Sequence, residues 1–201
     1  MKLICLGDSL TFGFGMSRNV RWTTLVEQET GCQIINRGIN GDTTGGMLAR
    51  LGHDVLDVIG TDRTQRLDCR VLVMGGSNDI FYSGTDLHAR ANLGAICQRL
   101  LAEGLQPLVG IPLPIDWEHA PPRWATAIDF RQAALCMTDY SLWLRDFCGI
   151  FSIPYVDFSA DFLLPSGQLR YELFWDGLHP NAAGHRLMAD RLTASVPLRS
   201  L

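Results

Sequence analysis

Lysine is almost absent from this 201-residue chain: Lys2 is the only one, and every other basic residue apart from histidine is an arginine. A Walker A loop needs a lysine beside the phosphates of its nucleotide, and a Schiff-base enzyme needs one in its pocket. Lys2 opens the first predicted strand, where it suits neither role. The sequence therefore argues against P-loop, kinase and pyridoxal chemistry.

Charge and long apolar runs are also scarce. Charged residues make up 19% of the chain and the formal net charge is −4, so the basic excess typical of nucleic-acid-binding domains is missing. No segment approaches the roughly 18 apolar residues of a membrane helix, and the first residues lack the apolar core and cleavage site of a signal peptide. We therefore expect a cytoplasmic protein with no nucleic-acid partner and no stable membrane association.

Metal and cofactor motifs are missing as well. The six cysteines form no Cys-x-x-Cys pair, which indicates reduced core thiols rather than disulfides or a zinc site. The sequence has no His-Glu-x-x-His, and its Gly-Phe-Gly at 13–15 does not extend to a dinucleotide-binding fingerprint. Asp176, His179 and His185 could be assembled into a metal site on paper, but we expect neither a metal nor a cofactor.

The apolar content, 47%, and the length indicate one globular domain over residues 1–201. Strand-like and helix-like segments alternate along it. The predicted strands are 2–6, 33–36, 70–74, 105–111 and 153–157. The predicted helices are 22–30, 43–59 (with Asp42 as N-cap), 86–103, 126–147 and 181–194.

This alternation predicts parallel strands joined by right-handed crossovers. We expect a three-layer α/β/α sandwich of about five parallel strands in the flavodoxin-like order 2-1-3-4-5. Ligands of such folds bind beyond the carboxyl ends of the strands. Segments 7–15, 38–46, 75–84 and 112–123 fall at or near those ends, and the first three are rich in glycine and small polar residues.

Two serines follow strands at this edge. Ser9, in the Gly-Asp-Ser-Leu of residues 7–10, can present its hydroxyl at a strand-to-helix turn or simply cap the helix. Ser77 lies in a partial nucleophile elbow that lacks its second glycine, because residue 79 is Asp. Ser9 is the preferred candidate.

Oxyanion donors and a base are also present. The side chain of Asn78 can donate a hydrogen bond to an anion, or it can form an Asx turn. Gly38 and Gly41 each offer an unobstructed backbone N–H, although an ordinary turn explains them equally well. Asp176 lies close enough in sequence to reach Nδ1 of His179, which leaves Nε2 for a serine, although a loop histidine capping the last helix is the alternative.

Taken together and in this order, these segments resemble the GDSL or SGNH hydrolase family, over essentially the whole chain. The residues that carry the resemblance are Gly-Asp-Ser-Leu at 7–10, Gly41, Gly-Ser-Asn-Asp at 76–79 and Asp-Gly-Leu-His at 176–179. The Gly-Asp-Thr that begins at 41 is similar to the single-domain bacterial branch, which contains esterases with thioesterase and lysophospholipase activities, and arylesterases.

The resemblance implies a role for each matching residue. Ser9 would be the nucleophile, His179 the general base and Asp176 its orienting carboxylate. The backbone N–H groups of Ser9 and Gly41 and the amide of Asn78 would form the oxyanion hole. Asp8, which we also count among the candidate pocket residues, would support the loop.

The expected activity is hydrolysis of small-molecule esters or thioesters with short to medium acyl chains. Candidate pocket walls flank the first and third segments or lie in the proline-rich loop; they are Phe12, Phe14, Phe81, Tyr82, Trp117 and Trp124. A carbohydrate O-deacetylase of the same fold is the alternative within the class. A non-catalytic binding module and a metal-dependent phosphoesterase are the alternatives outside it.

Overall fold

The computed structural model describes residues 1–122, 124 and 127–196. The strands are β1 (Lys2–Gly7), β2 (Gln33–Gly38), β3 (Cys69–Met74), β4 (Gln106–Ile111) and β5 (Tyr155–Asp157). The helices are α1 (Ser9–Phe12), α2 (Trp22–Thr30), α3 (Thr44–Leu51), α4 (Asp57–Ile59), α5 (Arg63–Leu67), α6 (Ser77–Ser83), α7 (Leu87–Ala102), α8 (Phe130–Phe151) and α9 (Ala182–Ser195). Short 3₁₀ turns cover Arg18–Val20, Phe158–Phe162 and Tyr171–Leu173.

The five strands form one parallel sheet in the order β2-β1-β3-β4-β5, which confirms the predicted topology. The register brings the carboxyl ends of β1, β2 and β3 level with one another: Gly7, the last residue of β1, pairs with Gly38 on β2 and with Met74 on β3. Because these strands end level, the segments that follow them begin side by side at one edge of the sheet.

Alternate residues of each strand enter opposite layers, as the pleat of a strand requires. On β1, Ile4 and Leu6 join the core beneath α3, α7 and α8, whereas Leu3 and Cys5 join the core beneath α2 and α9. Both faces of the sheet are therefore covered, which explains why the strands read as continuous apolar runs. This confirms the three-layer sandwich.

The predicted helix 43–59 is interrupted. α3 is followed by a π-helical turn over Gly52–Leu56 and then by α4. The prediction that Asp42 caps this helix is wrong, because the Thr43 side chain accepts the Gly46 N–H at 3.2 Å while the Asp42 carboxylate pairs with Arg50. The apolar periodicity revealed the helical face but not the extra residue in the turn.

The predicted helix 126–147 begins at a position outside the described residues. The helix observed there, α8, starts at Phe130, where the Asp129 side chain accepts the Gln132 N–H at 3.0 Å, and continues to Phe151. The other predicted elements agree with the observed bounds to within two residues. None of the helices in the described part of the chain has the length and apolarity needed to span a lipid bilayer.

Candidate active site

Ser9 is the first residue of α1, at the turn where β1 ends. Asp8 caps this helix through its Oδ1, which accepts the Leu10 N–H at 2.9 Å. Only glycine fits before the turn, because a Cβ on Gly7 would lie 2.6 Å from the Met74 carbonyl oxygen. The strand-to-helix turn therefore holds Ser9 at the carboxyl edge of the sheet, where it lines a cavity.

The structure brings together three of the predicted side chains. Oγ of Ser9 lies 2.9 Å from Nε2 of His179, across 170 residues of sequence. Nδ1 of the same ring lies 2.8 Å from Oδ2 of Asp176. A histidine between a serine and a carboxylate can take the hydroxyl proton while the carboxylate stabilises the imidazolium that forms.

The turn that carries Asp176 and His179 is held from several directions. Oδ1 of Asp176 accepts the backbone N–H groups of Leu178 and His179 at 3.1 and 2.7 Å. Gly177 has a φ of +77°, and a Cβ there would lie 2.5 Å from the Asp116 carbonyl oxygen, so the turn requires glycine. Burial acts to raise the pKa of Asp176, but the hydrogen bonds from His179 and Leu178 outweigh it and lower that pKa. Asp176 is therefore ionised at neutral pH.

Asn78, near the start of α6, also lines the cavity. Its Nδ2 donates to the Asp42 carbonyl oxygen at 2.8 Å, which uses one amide hydrogen and leaves the second. The next residue, Asp79, accepts both the backbone N–H of Thr44 at 2.9 Å and its hydroxyl at 2.7 Å. These contacts tie the segments that follow β2 and β3 to each other.

The structure separates the two candidate glycines. Gly41, with a φ of +76°, lines the cavity beside Ser9 and Asn78. A Cβ on Gly38 would lie 2.2 Å from the backbone nitrogen of Phe12, so Gly38 allows α1 to pack on β2. Of the two, only Gly41 lines the cavity beside Ser9, whereas the Gly38 N–H already donates to Oδ1 of Asn36 at 2.9 Å.

The cavity beside Ser9 has a volume of ≈ 250 Å³ and mostly apolar walls. The ring of His179 lies between two of those walls, with its centroid 4.5 Å from that of Phe14 and 6.3 Å from that of Trp124. The remaining apolar lining consists of Phe81, Tyr82, Ile128, Phe130 and Leu178. Sequence reasoning missed the last three, although Leu178 stands between Asp176 and His179.

Two of the predicted aromatic pocket residues lie elsewhere. Phe12 packs under the guanidinium of Arg21, 4.3 Å from its ring centroid, and lines a separate hollow along β2. Gly13, at a φ of +83°, ends α1 and redirects the chain, so Phe14 rather than Phe12 contacts His179. Trp117 is half-exposed and lines a different hollow, beyond Asp116.

Three further residues singled out in the sequence are buried away from this lining. Ser77 is not among the described residues that line the cavity, and it is only 2% exposed. Asp8 is fully buried, and burial raises its pKa to about 7. Nδ1 of His185 accepts the Trp22 N–H at 3.2 Å, which links α9 to α2, and burial lowers the pKa of this histidine to about 4.

The metal site that could be assembled on paper is not formed. Within residues 1–122, 124 and 127–196, no three His, Cys, Asp or Glu side chains are arranged to hold a metal ion, and Asp176, His179 and His185 are no exception. All six cysteines are free thiols.

Ser9 follows β1, and His179 and Asp176, from the turn before α9, reach it at that edge of the sheet. Serine hydrolases with a parallel α/β sheet carry their reacting side chains at the same edge. Comparison with known proteins identifies the family of hydrolases to which the chain belongs. The chain belongs to the GDSL-like Lipase/Acylhydrolase family, whose sequence model matches residues 5–187.

Individual relatives agree with this assignment. Esterase TesA of Pseudomonas aeruginosa is 26% identical over 121 residues, and the match spans 57% of this chain and 56% of that protein. A member of the lipolytic protein G-D-S-L family from Veillonella parvula superposes with a TM-score of 0.79 at 22% identity, over 96% of this chain and 97% of the other. The aryl esterase of M. smegmatis superposes with a TM-score of 0.75 at 18% identity, over 97% of this chain and 99% of the other. At these identities the structural matches establish the shared fold.

Proposed function

We propose that this protein is a serine esterase that cleaves small carboxylic esters or thioesters through an acyl-enzyme on Ser9. The observation that carries the proposal is the unbroken hydrogen-bonded series from Ser9 Oγ to His179 Nε2 and from His179 Nδ1 to Asp176. A serine hydroxyl is a weak nucleophile at neutral pH, and such a series is how proteins activate it.

In the first step Ser9 Oγ attacks the carbonyl carbon of the substrate, and Nε2 of His179 takes the hydroxyl proton. The negative charge that develops on the carbonyl oxygen is stabilised by the backbone N–H groups of Ser9 and Gly41 and by the free amide hydrogen of Asn78. Asp176 remains ionised and stabilises the imidazolium, in keeping with its lowered pKa.

In the second step the tetrahedral intermediate collapses and the alcohol or thiol leaves with the proton from His179. The acyl group is now bound to Ser9 Oγ. Water then attacks this ester while His179 takes a proton from the water, and the same donors hold the second oxyanion. Collapse releases the carboxylic acid and returns the proton to Ser9, so the enzyme is regenerated.

The size and the apolar walls of the cavity favour a substrate whose acyl group is apolar and small. The volume, ≈ 250 Å³, and the aromatic side chains of Phe14, Phe81 and Trp124 favour short to medium aliphatic chains or a single aromatic ring. A saccharide would meet few polar groups there. Deacetylation of a carbohydrate, the alternative within the family, would need its sugar to bind outside this cavity.

The proposal is tested with a fluorophosphonate probe and mass spectrometry of the labelled peptide. We expect a label on Ser9, no label in Ser9→Ala, and loss of ester hydrolysis by a factor on the order of 10⁶ in that variant. Ser77→Ala is the matched control and should label and turn over like the unmodified protein. A folded protein that takes up no label, or one labelled at Ser77, would contradict the proposal.

A panel of esters from acetate to dodecanoate then tests the substrate class. We expect kcat/KM to peak at short or medium chains and to fall beyond them, because the cavity is of limited volume. Highest activity on acetylated saccharides would instead favour the deacetylase.

A further inference from the structure

Arg50, on α3, lies outside the cavity lining yet contacts the backbone on which the site is built. Its side chain is 15% exposed. Nη2 donates to the Gly7 carbonyl oxygen at 2.9 Å, and Nη1 donates to that of Arg37 at 2.9 Å. Nε donates to Oδ2 of Asp42 at 2.8 Å, and Nη1 also donates to Oδ2 of Asp54 at 2.6 Å. One guanidinium thus joins four separate positions of the chain.

Three of these positions lead directly to the candidate oxyanion donors. Gly7 is the last residue of β1, two residues before Ser9. Arg37 lies on β2, whose end begins the segment that contains Gly41. Asp42 follows Gly41, and its carbonyl oxygen accepts the amide of Asn78. Arg50 therefore lies at the junction of the segments that carry Ser9 and Gly41, and it is linked to the third donor, Asn78, through Asp42.

The fourth contact of the guanidinium is with Asp54, which is not part of the cavity lining. Asp54 belongs to the π-helical turn that follows α3. Burial acts to raise the pKa of Asp54, but hydrogen bonds from Arg50 and His53 outweigh it and lower that pKa, so the carboxylate is ionised. π turns inside helices are frequent at functional sites, and this one places a carboxylate against Arg50.

We propose that Arg50 is a positioning residue for the oxyanion hole. It fixes the distance between the Ser9 turn and the Gly41–Asn78 side of the cavity without touching the substrate. The planar guanidinium supplies five donors in a rigid fork, which suits four acceptors spread around it. This inference rests on the proposed esterase function, since it assigns Arg50 to the same site.

Arg50→Lys is the primary test because it keeps the charge but loses the fork. We expect kcat to fall by about 10- to 100-fold, because a misplacement of about 1 Å can cost 100-fold. KM for a short-chain ester should stay within about threefold, since the cavity walls are unchanged. The pH dependence of kcat/KM should keep its midpoint, because Arg50 contacts neither His179 nor Asp176.

Arg66→Lys is the matched control. The side chain of Arg66 is 20% exposed and donates to the carbonyl oxygens of Gly60 (2.9 Å) and Glu103. It lies on α5, which precedes β3, so it is at the end of the sheet remote from Ser9. We expect this variant to lose stability comparably but to keep kcat within about twofold.

Hydrogen exchange provides a readout that does not depend on turnover. Backbone amides of residues 38–43 should exchange at least about tenfold faster in Arg50→Lys than in the unmodified protein, and at an unchanged rate in Arg66→Lys. If the unmodified protein hydrolyses no ester, the proposed function fails, and the exchange rates still decide whether Arg50 positions this segment.

Two results would overturn the inference. One is a folded Arg50→Lys protein with kcat within about threefold of the original and unchanged exchange at 38–43. The other is an equal fall of kcat in Arg66→Lys, which would show a general loss of stability. Should Arg50→Lys not fold, Asp54→Asn is the second variant, because it weakens one of the four Arg50 contacts, together with the hydrogen bond between Asp54 and His53. The expected result is then a kcat reduced by about three- to tenfold at constant KM; an unchanged kcat would refute the proposal.

Discussion

The carboxylate of Asp176 holds His179 at two points: Oδ2 lies 2.8 Å from the ring Nδ1, and Oδ1 accepts the backbone N–H of His179 at 2.7 Å. One oxygen therefore orients the ring while the other fixes the backbone that carries it. The described residues contain a second pair of the same spacing, Asp116 and His119, with Oδ2 and Nδ1 2.7 Å apart. Only the first pair reaches a serine, because Nε2 of His179 is 2.9 Å from Ser9 Oγ.

Asp176→Asn should lower kcat by about 10⁴-fold, because an amide no longer stabilises the imidazolium and can select the wrong tautomer of His179. KM for a short-chain ester should change little, since Asp176 is not part of the cavity wall. Steady-state kinetics check this, with Asp116→Asn as the matched control that should retain activity within about threefold. Comparable losses in the two variants would contradict the role of Asp176.

Gly38→Ala and Gly41→Ala should separate stability from activity. The new Cβ at Gly38 would clash with the Phe12 nitrogen, so the free energy of unfolding should fall by about 3 kcal/mol or more. At Gly41 the nearest atom to a new Cβ is the Tyr82 hydroxyl at 3.7 Å, so the cost is the left-handed backbone, about 1–2 kcal/mol. A backbone shift that relieves this strain also moves the N–H of residue 41, and it should reduce kcat by about 100-fold.

Urea unfolding and turnover of the two glycine variants check this pair of expectations. Gly41→Ala with full kcat would show that the backbone at residue 41 keeps its position when it carries a Cβ, so that glycine is not required there. Gly38→Ala with full stability would show that α1 can shift on β2.

Asp8→Asn should change how stability depends on pH. Burial raises the pKa of Asp8 from 3.8 to about 7, against the opposing effects of the Leu10 N–H and His179. Between these values the folded protein binds a proton that the unfolded chain does not, so this contribution to stability is full below about pH 4 and is lost as pH rises through about 7. The asparagine variant lacks this slope. Its free energy of unfolding, relative to that of the unmodified protein, should therefore rise between pH 5 and 8, by up to about 3 kcal/mol.

Urea unfolding at pH 5 and pH 8 measures this difference. Asp139→Asn, which removes an exposed carboxylate on α8, is measured beside it as the control for the loss of one negative charge. A parallel pH dependence in Asp8→Asn and the unmodified protein would show that Asp8 ionises normally in the folded state.

Trp124→Ala should lower kcat/KM for hexanoate and benzoate esters by about tenfold, because removal of the indole exposes apolar surface of the bound acyl group to water. The acetate ester, which covers less of the wall, should lose less. Trp117→Ala is the control: its ring lies by the Arg131 guanidinium at 5.6 Å, outside the cavity, and all esters should be affected within about twofold. An equal loss for every ester in Trp124→Ala would indicate damage to His179 rather than to the wall.

Much of the fold follows from local sequence patterns. Runs such as Val71–Val73 on β3 are apolar throughout because both faces of the sheet are covered, and this pattern is visible without coordinates. The π turn after α3 was not predictable in this way. It accompanies contacts of Arg50 with Gly7 and Arg37, residues remote in sequence, that no helical periodicity encodes.

The sequence by itself determined the fold class and the residue types available to the site. It also indicated the Asp176–His179 pair, because their spacing lies within the reach of one turn. Only the tertiary structure showed that Gly41, which the family resemblance favours, lines the cavity while Gly38 does not, and that Phe14 rather than Phe12 forms its wall. It alone also brought Ser9 to His179. The physical reason is that these outcomes depend on where separate strands end relative to one another and on which side of a turn a side chain emerges, and a single stretch of sequence specifies neither.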